Sequence, residues 1–269
     1  MSRAVGYATA SSPPRLAMLN SFDGLLWFVL AVLALLFLQR ALHHEIQAVI
    51  LILTRNPALT IGLFSVFFFP GVFLHEFSHF LMAKLLFVPT GGFSLIPQPL
   101  PDGRLRLGYM ETAQTDVARD SLIGAAPIIT GGVAVALIAL YPLNLLPLWG
   151  VLRNGQFDLF WLGISLLTQI RDFWLWFYLA FAVSSTMMPS ESDRHAWLPL
   201  GLILLVLLGL ALLGGAGPWM VESLAQPLNA FLRSAALVFL LSAVLHAALS
   251  LPIMLVHRIL TRVTGLDVK

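Results

Sequence analysis

The chain contains the segment His75-Glu76-Phe77-Ser78-His79, which has the form H-E-x-x-H. Residues four apart share one face of an α-helix, so His75 and His79 can bind one metal ion. Glu76 is then placed to polarise a metal-bound water as a general base. The alternative interpretation is two buried histidines that hydrogen-bond to neighbouring helices, with Glu76 as their structural partner.

The motif lies within an apolar segment. Apolar and aromatic residues run from Leu59 to Phe69 and resume from Phe80 to Val88. Two histidines and a glutamate in such a segment are costly unless they face a protein interior or a cavity and have partners there. This setting favours the metal site over the structural alternative.

The composition predicts an all-α polytopic membrane protein. Of the 269 residues, 59% are hydrophobic and only 10% are charged, whereas a soluble domain carries about 25% charged residues. The chain has no cysteine, which excludes thiolate ligands, so a metal site must use histidine, carboxylate and water. No basic run or aromatic–basic surface predicts nucleic acid binding.

We expect about six transmembrane spans, which the apolar segments place at 22–38 with a continuation over 46–53, 58–88, 121–141, 173–188, 197–213 and 231–256. The first region is either one long tilted helix or a span followed by an interfacial helix. His43-His44-Glu45 could be a second metal cluster, but adjacent histidines point to different faces. A polar helix surface near the membrane edge is therefore favoured, and His246 and His257 are interpreted as packing or interfacial residues.

The distribution of Lys and Arg predicts the orientation. The 214–230 loop has none, whereas the 84–119 region and the C-terminal tail have several. The positive-inside rule then places the tail, the 89–120 loop and both termini in the cytoplasm. The motif would lie in the cytoplasmic half of its span, in reach of Asp193 at the cytoplasmic end of the fourth span.

The 89–120 loop contains Asp102-Gly103 between two segments with strand character, 93–96 and 104–109. An Asp-Gly pair in this position predicts a β-hairpin turn on the cytoplasmic side. An open strand edge beside an active site could hold an extended substrate through backbone hydrogen bonds. The alternative is a solvated loop with no further role.

A catalytic zinc site needs a third protein ligand and an open position for water. Asp193 is the favoured candidate, and Glu191 and His195 are the alternatives. The structural interpretation of Asp193 is an ion pair with Arg194 or a helix cap. In the catalytic interpretation, Glu76 accepts a proton from water and later passes it to the leaving amine.

These features together resemble the site-2 protease family of intramembrane zinc metalloproteases. The resemblance is carried by the H-E-x-x-H motif within a span, by Gly124-Ala125-Ala126-Pro127 in the next span, and by Pro189 followed by Asp193. It implies a three-helix catalytic core over 58–195, preceded by an N-terminal region over 1–57 and followed by two helices and a basic tail over 196–269. It further implies one zinc ion per chain with His75, His79 and Asp193 as ligands and Glu76 as the base.

Three positions depart from the family pattern. Thr186 takes the place of the usual Asn before Pro189, Asp193 follows Pro189 by four residues rather than five, and Arg194 replaces a Gly. We expect an intramembrane zinc metalloendopeptidase that cleaves membrane-anchored proteins near the cytoplasmic face of a prokaryotic cell membrane. The alternative is a catalytically inactive membrane scaffold or partner-binding protein that retains the fold.

Overall fold

The computed structural model describes residues 23–99 and 105–266, which are mainly helical. The helices are α1 Asp23–Thr54, α2 Pro57–Leu85, α3 Val117–Leu140, α4 Leu146–Arg153, α5 Phe157–Leu167, α6 Phe173–Thr186, α7 Trp197–Leu213, α8 Gly217–Ser223 and α9 Ala225–Thr264. Four of them (α1, α2, α3 and α9) are long and apolar enough to cross a membrane, and α7 and α8 form an apolar pair bent by 111°. These lengths and compositions are those of a polytopic, all-α membrane protein.

The first expected span is longer than a membrane crossing requires, and the fourth is shorter. The first is one continuous helix of 32 residues, so the polar positions around Gln39 and His43 do not break it. The fourth, α6, has only 14 residues. It therefore rises about 21 Å, which is shorter than the roughly 30 Å thickness of the hydrocarbon core that a full crossing requires.

Helices α1 and α9 pack side by side in the same direction. At their starts, the backbone N–H of Gly24 donates to Oδ1 of Asn229 over 2.7 Å, and Asp23 pairs with Arg233. Further along both helices, Oε2 of Glu45 lies 2.6 Å from Nδ1 of His257. The first and last spans of an even number run antiparallel, so this parallel pair contradicts six spans with both ends on one side.

The directions of the remaining helices fit an odd number of crossings. Helix α6 begins where Phe173 packs against Ile138, near the end of α3, and it ends beside the motif of α2. The segment before α7 meets the start of α3, where the Ser121 hydroxyl donates to the Ala196 carbonyl over 3.1 Å. The chain therefore enters α7 and reaches α9 at the same end of the bundle, with the bent α7–α8 pair between them.

In the described residues between α2 and α3 there are four short strands. Strand β1 (Thr90–Ser94) pairs antiparallel with β4 (Tyr109–Thr112), with Phe93 opposite Met110, and β2 (Gln98–Pro99) pairs antiparallel with β3 (Leu105–Arg106). The turn predicted at Asp102-Gly103 lies outside the described residues. Met110 packs against Ala83 and Ile123, which holds the strands against the two helices beside the motif.

Two glycines let the elements of the core approach each other closely. A Cβ atom at Gly71 of α2 would overlap the Ala182 carbonyl of α6, and one at Gly124 of α3 would overlap the Asp193 carbonyl. Small residues at such positions allow close packing of membrane helices. Helices α2, α3 and α6 therefore bring the motif and the segment after α6 together, within the 58–195 region.

Candidate metal centre

Three side chains from two elements meet at one point. The Nε2 atoms of His75 and His79 lie 3.2 Å apart, and they lie 3.5 and 3.4 Å from the two carboxylate oxygens of Asp193. One potential ligand atom of each residue lies within 4.8 Å of the others. The structure thus brings together the three residues that the sequence indicated as ligands, and the group could hold a metal ion.

The opposite nitrogen of each histidine is fixed by the main chain. Nδ1 of His75 lies 2.7 Å from the Thr186 carbonyl oxygen, and Nδ1 of His79 lies 2.8 Å from that of Ile123. A carbonyl only accepts, so each Nδ1 carries the hydrogen and each Nε2 of a neutral ring presents a lone pair. Two lone pairs and a carboxylate cannot satisfy one another, so a shared proton or a metal ion must lie among them.

Helix irregularities make both carbonyl groups available. The Ile123 carbonyl would ordinarily accept from the N–H of residue 127, but Pro127 lies inside α3 and has no N–H. The Thr186 carbonyl lies at the end of α6, and the N–H of Ser190, four residues on, donates instead to Oδ2 of Asp193 over 2.7 Å. The same local breaks therefore orient both histidines and hold the carboxylate.

The half-buried carboxylate of Asp193 is electrostatically adapted to a cation. Burial by itself raises the pKa of Asp193, but hydrogen bonding to His75 and His79 outweighs burial and holds its pKa well below the usual range. A proton shared with the histidines thus satisfies the group when no metal is bound. Metal binding must displace such protons, as it does at histidine sites generally.

Glu76 is buried and lines the cavity that contains the centre. The strand segment, residues 90–112, approaches Glu76 closely at Gly108. A Cβ atom at Gly108 would stand 3.0 Å from Cγ and 3.2 Å from Oε1 of Glu76. Glycine at position 108 therefore leaves space for the carboxylate. The cavity has a volume of about 980 Å³ and is bounded by α1, α2, α3, the strand segment and the segment after α6.

The two alternative ligands take other positions. His195 is 65% exposed and its Nε2 lies 2.7 Å from Oδ2 of Asp120. The Ser192 carbonyl, together with the Asp120 carboxylate, raises the pKa of His195. Glu191 lines the cavity but is exposed and lies outside the three-residue group.

The 43–45 segment differs from the predicted polar surface. His43 packs against the rings of Phe64 and Phe68, with centroid distances of 5.4 and 4.9 Å, and it lines the cavity. Glu45 pairs with His257, while His44 is exposed, so these residues form no second metal cluster. The four-residue spacing of Gln39 and His43 within an apolar helix was the sequence signal for a shared inward face.

His246 agrees with its interpretation as a packing residue. It is fully buried. Its Nδ1 lies 2.7 Å from the Ser242 carbonyl oxygen, and its Nε2 lies 2.9 Å from the Ser185 hydroxyl.

Comparisons of the chain with protein-family models, curated proteins and solved structures gave no match. The function is therefore inferred from the geometry of the site.

Proposed function

We propose that this protein is an intramembrane zinc metalloendopeptidase that hydrolyses peptide bonds of membrane-anchored proteins, with a site of the site-2 protease type. The observation that carries the proposal is the pair of oriented histidine lone pairs facing Asp193 beside buried Glu76. An ionisable residue within a membrane helix is costly and generally marks a functional site, which favours a catalytic use of these residues.

The donor set fits zinc. Two imidazole nitrogens and one carboxylate are typical of a catalytic zinc site, in which the fourth position remains open for water or substrate. The backbone carbonyls that bind Nδ1 of His75 and His79 supply the outer shell that such sites require. One ion per chain follows from the single group of this kind in the described residues.

When bound, zinc would supply Lewis acidity and lower the pKa of a water molecule to about 7. The Glu76 carboxylate would accept the proton of the attacking water and transfer it to the amine that leaves when the peptide bond breaks. A substrate helix must unwind before this reaction, because its carbonyls are engaged in hydrogen bonds. The 980 Å³ cavity offers space for such an unwound segment.

The centre lies toward the end of the bundle at which α1, α3 and α9 begin. We place this end at the cytoplasmic face of a prokaryotic cell membrane, because Lys84 lies there and the sequence of the following loop adds Arg104 and Arg106. With α1 and α9 parallel, the end of α9 would then lie on the opposite face. Protease digestion of sealed inside-out vesicles tests this assignment. A tag placed before α1 should be cleaved, and a tag placed after α9 should be protected.

The decisive experiment compares the purified wild type with Glu76→Gln on a panel of membrane-anchored reporters, with new termini read by mass spectrometry. We expect Glu76→Gln to retain zinc and its melting temperature but to lose about 10²- to 10⁴-fold in cleavage rate. Equal cleavage by the variant would disprove the proposal. Absence of zinc from the wild type, even after incubation with zinc, would favour the scaffold alternative.

A further inference from the structure

Gly108 is a buried residue of the strand segment and lies immediately before β4. A Cβ atom at this position would stand 3.0 Å from Cγ of Glu76 on one side and 3.0 Å from the carbonyl oxygen of Ser94 on the other. Both distances are shorter than an ordinary van der Waals contact. The main chain at Gly108 therefore fills the space between the Glu76 side chain and β1.

The backbone conformation at position 108 does not itself require glycine. Gly108 does not have a positive φ, whereas Gly155, Gly215 and Gly265 do. Glycine is the default residue where φ must be positive, and an alanine is free to adopt a negative φ. The close approach to Glu76 and Ser94 is therefore the feature that accounts for glycine at this position.

Side chains on both sides of Gly108 hold the strand segment in place. Leu107 packs against a cluster that includes Val72, and Met110 packs against a cluster that includes Ala83. Val72 and Ala83 lie before and after the H-E-x-x-H motif in α2. The main chain at Gly108 is thus fixed against the part of α2 that carries the motif.

We infer that Gly108 is a positioning residue that fixes the Glu76 carboxylate in the cavity of the metal centre, and this inference rests on the proposed peptidase function. A glutamate side chain has several staggered rotamers. The contact of the strand segment with Cγ of Glu76 restricts them while the side chain lines the cavity. A fixed base favours a high rate, because a misplacement of about 1 Å can cost about 100-fold.

The test adds one methyl group, with Gly108→Ala in the zinc-loaded full chain. Ser94 is held by its pairing with Tyr109, so the Glu76 side chain is the neighbour that must move. We expect kcat on a membrane-anchored reporter to fall about 10- to 100-fold, while KM and zinc content stay at their wild-type values. Gly62→Ala makes the same change in α2, where a Cβ atom would meet nothing within 4 Å, and should leave kcat unchanged.

A double variant shows whether the methyl group acts through the base. Glu76→Gln removes the base and keeps the shape of the side chain. Adding Gly108→Ala to Glu76→Gln should therefore cause no further loss of kcat, because two changes that act through one group are not additive. A role in the general structure of the site would instead lower the rate by the same factor in both backgrounds. Single-turnover assays with excess enzyme measure these low rates.

A cross-link tests the approach of the strand segment to Glu76 without any reaction. The chain has no native cysteine, so Glu76→Cys combined with Gly108→Cys introduces a single pair. A disulfide requires Cβ atoms about 3.5 to 4.5 Å apart. We expect oxidation with iodine to protect this pair from a maleimide–polyethylene glycol label. Glu76→Cys combined with Gly132→Cys should stay labelled, because a Cβ atom at Gly132 would meet nothing within 4 Å.

The outcomes separate the positioning role from the proposed function. A wild-type kcat in Gly108→Ala, or an equal proportional loss in the Glu76→Gln background, would overturn the role of Gly108. Loss of zinc from Gly108→Ala would also overturn it, because the methyl group would then act on the ligands. If Gly108→Ala does not fold, the cross-link decides, and its absence would overturn the inference. Failure of the wild type to cleave any reporter would overturn the peptidase proposal and this role within it, even where the cross-link forms.

Discussion

The histidines of the metal centre and His246 are oriented in the same way but differ in the partner of Nε2. In the metal centre and at His246, Nδ1 is hydrogen-bonded to a backbone carbonyl. At His246, Nε2 meets a serine hydroxyl that can donate to it. In the metal centre, the Nε2 atoms of His75 and His79 meet each other and a carboxylate.

This difference separates a structural histidine from a ligand. A hydroxyl satisfies a lone pair and completes a neutral network. Two converging lone pairs with a carboxylate need a shared proton or a metal ion between them. Burial or apolar surroundings alone would not distinguish the two sites, because both lie between membrane helices.

The strongest test of the comparison removes one histidine from each group. His79→Ala should lower zinc affinity by at least about 100-fold, because a ligand is lost and the remaining pair cannot complete the site. His246→Ala should retain zinc but lose about 2–4 kcal/mol of stability through a cavity and an unsatisfied serine. Zinc content and melting temperature measured side by side check both. Loss of zinc in His246→Ala at unchanged stability would contradict the distinction.

A subtler test changes the anchor without changing a ligand. Pro127→Ala restores an N–H that competes with Nδ1 of His79 for the Ile123 carbonyl. We expect zinc affinity to fall by about tenfold, as is typical when an outer-shell partner is weakened, while all three ligands remain. Pro252→Ala makes the same change inside α9, away from the centre, and is the matched control. Competition with a zinc-selective chelator measures the affinity, and equal values for both variants would show that the freed carbonyl is unimportant.

A third, exposed histidine gives the smallest expected effect. Nδ1 of His195 also bonds to a carbonyl, and its Nε2 faces Asp120, so the pKa of His195 is raised. The protonated form is favoured in the folded state. Its stabilising contribution is complete below the ordinary histidine pKa of about 6.5 and disappears as the pH rises through the raised value.

Because His195 is largely exposed, this contribution should stay below about 1 kcal/mol. The melting temperature of the wild type should therefore fall slightly more than that of His195→Gln between pH 6 and pH 9. An equal fall in melting temperature for the wild type and His195→Gln across this pH range would rule out the ion pair as a stabilising contact.

Much of the candidate site could be predicted because its signals are local. The spacing of His75 and His79 sets their common face, and the end of an apolar segment placed Asp193 within reach. The hydrogen bonds of Ile123 and Thr186 could not be predicted, because they depend on where the ordinary helical donor is lost. Pro127 has no N–H for Ile123, and the Ser190 N–H that would reach Thr186 donates to Asp193 instead. The inward position of His43 depends on its packing against Phe64 and Phe68, which come from another helix.

The topology was harder to predict than the site. Lys and Arg residues occur near both ends of the helices, including Lys84 at one end and Arg258 at the other, so counting them did not reveal that α1 and α9 are parallel. Hydropathy also cannot separate a straight crossing helix from the bent α7–α8 pair, because both pass as apolar segments. The direction of α9 is encoded instead in pairings with α1 over more than 200 residues of sequence separation.

The carbonyls that hold the histidines belong to the main chain, so no side-chain deletion removes them. A saturation mutagenesis screen should therefore tolerate changes at Ile123 as far as packing allows, while the vulnerable outer-shell position is Pro127, a residue that touches neither histidine through a polar group. Position 127 would then be sensitive to substitution because proline lacks a backbone N–H there, and not because its side chain makes a contact.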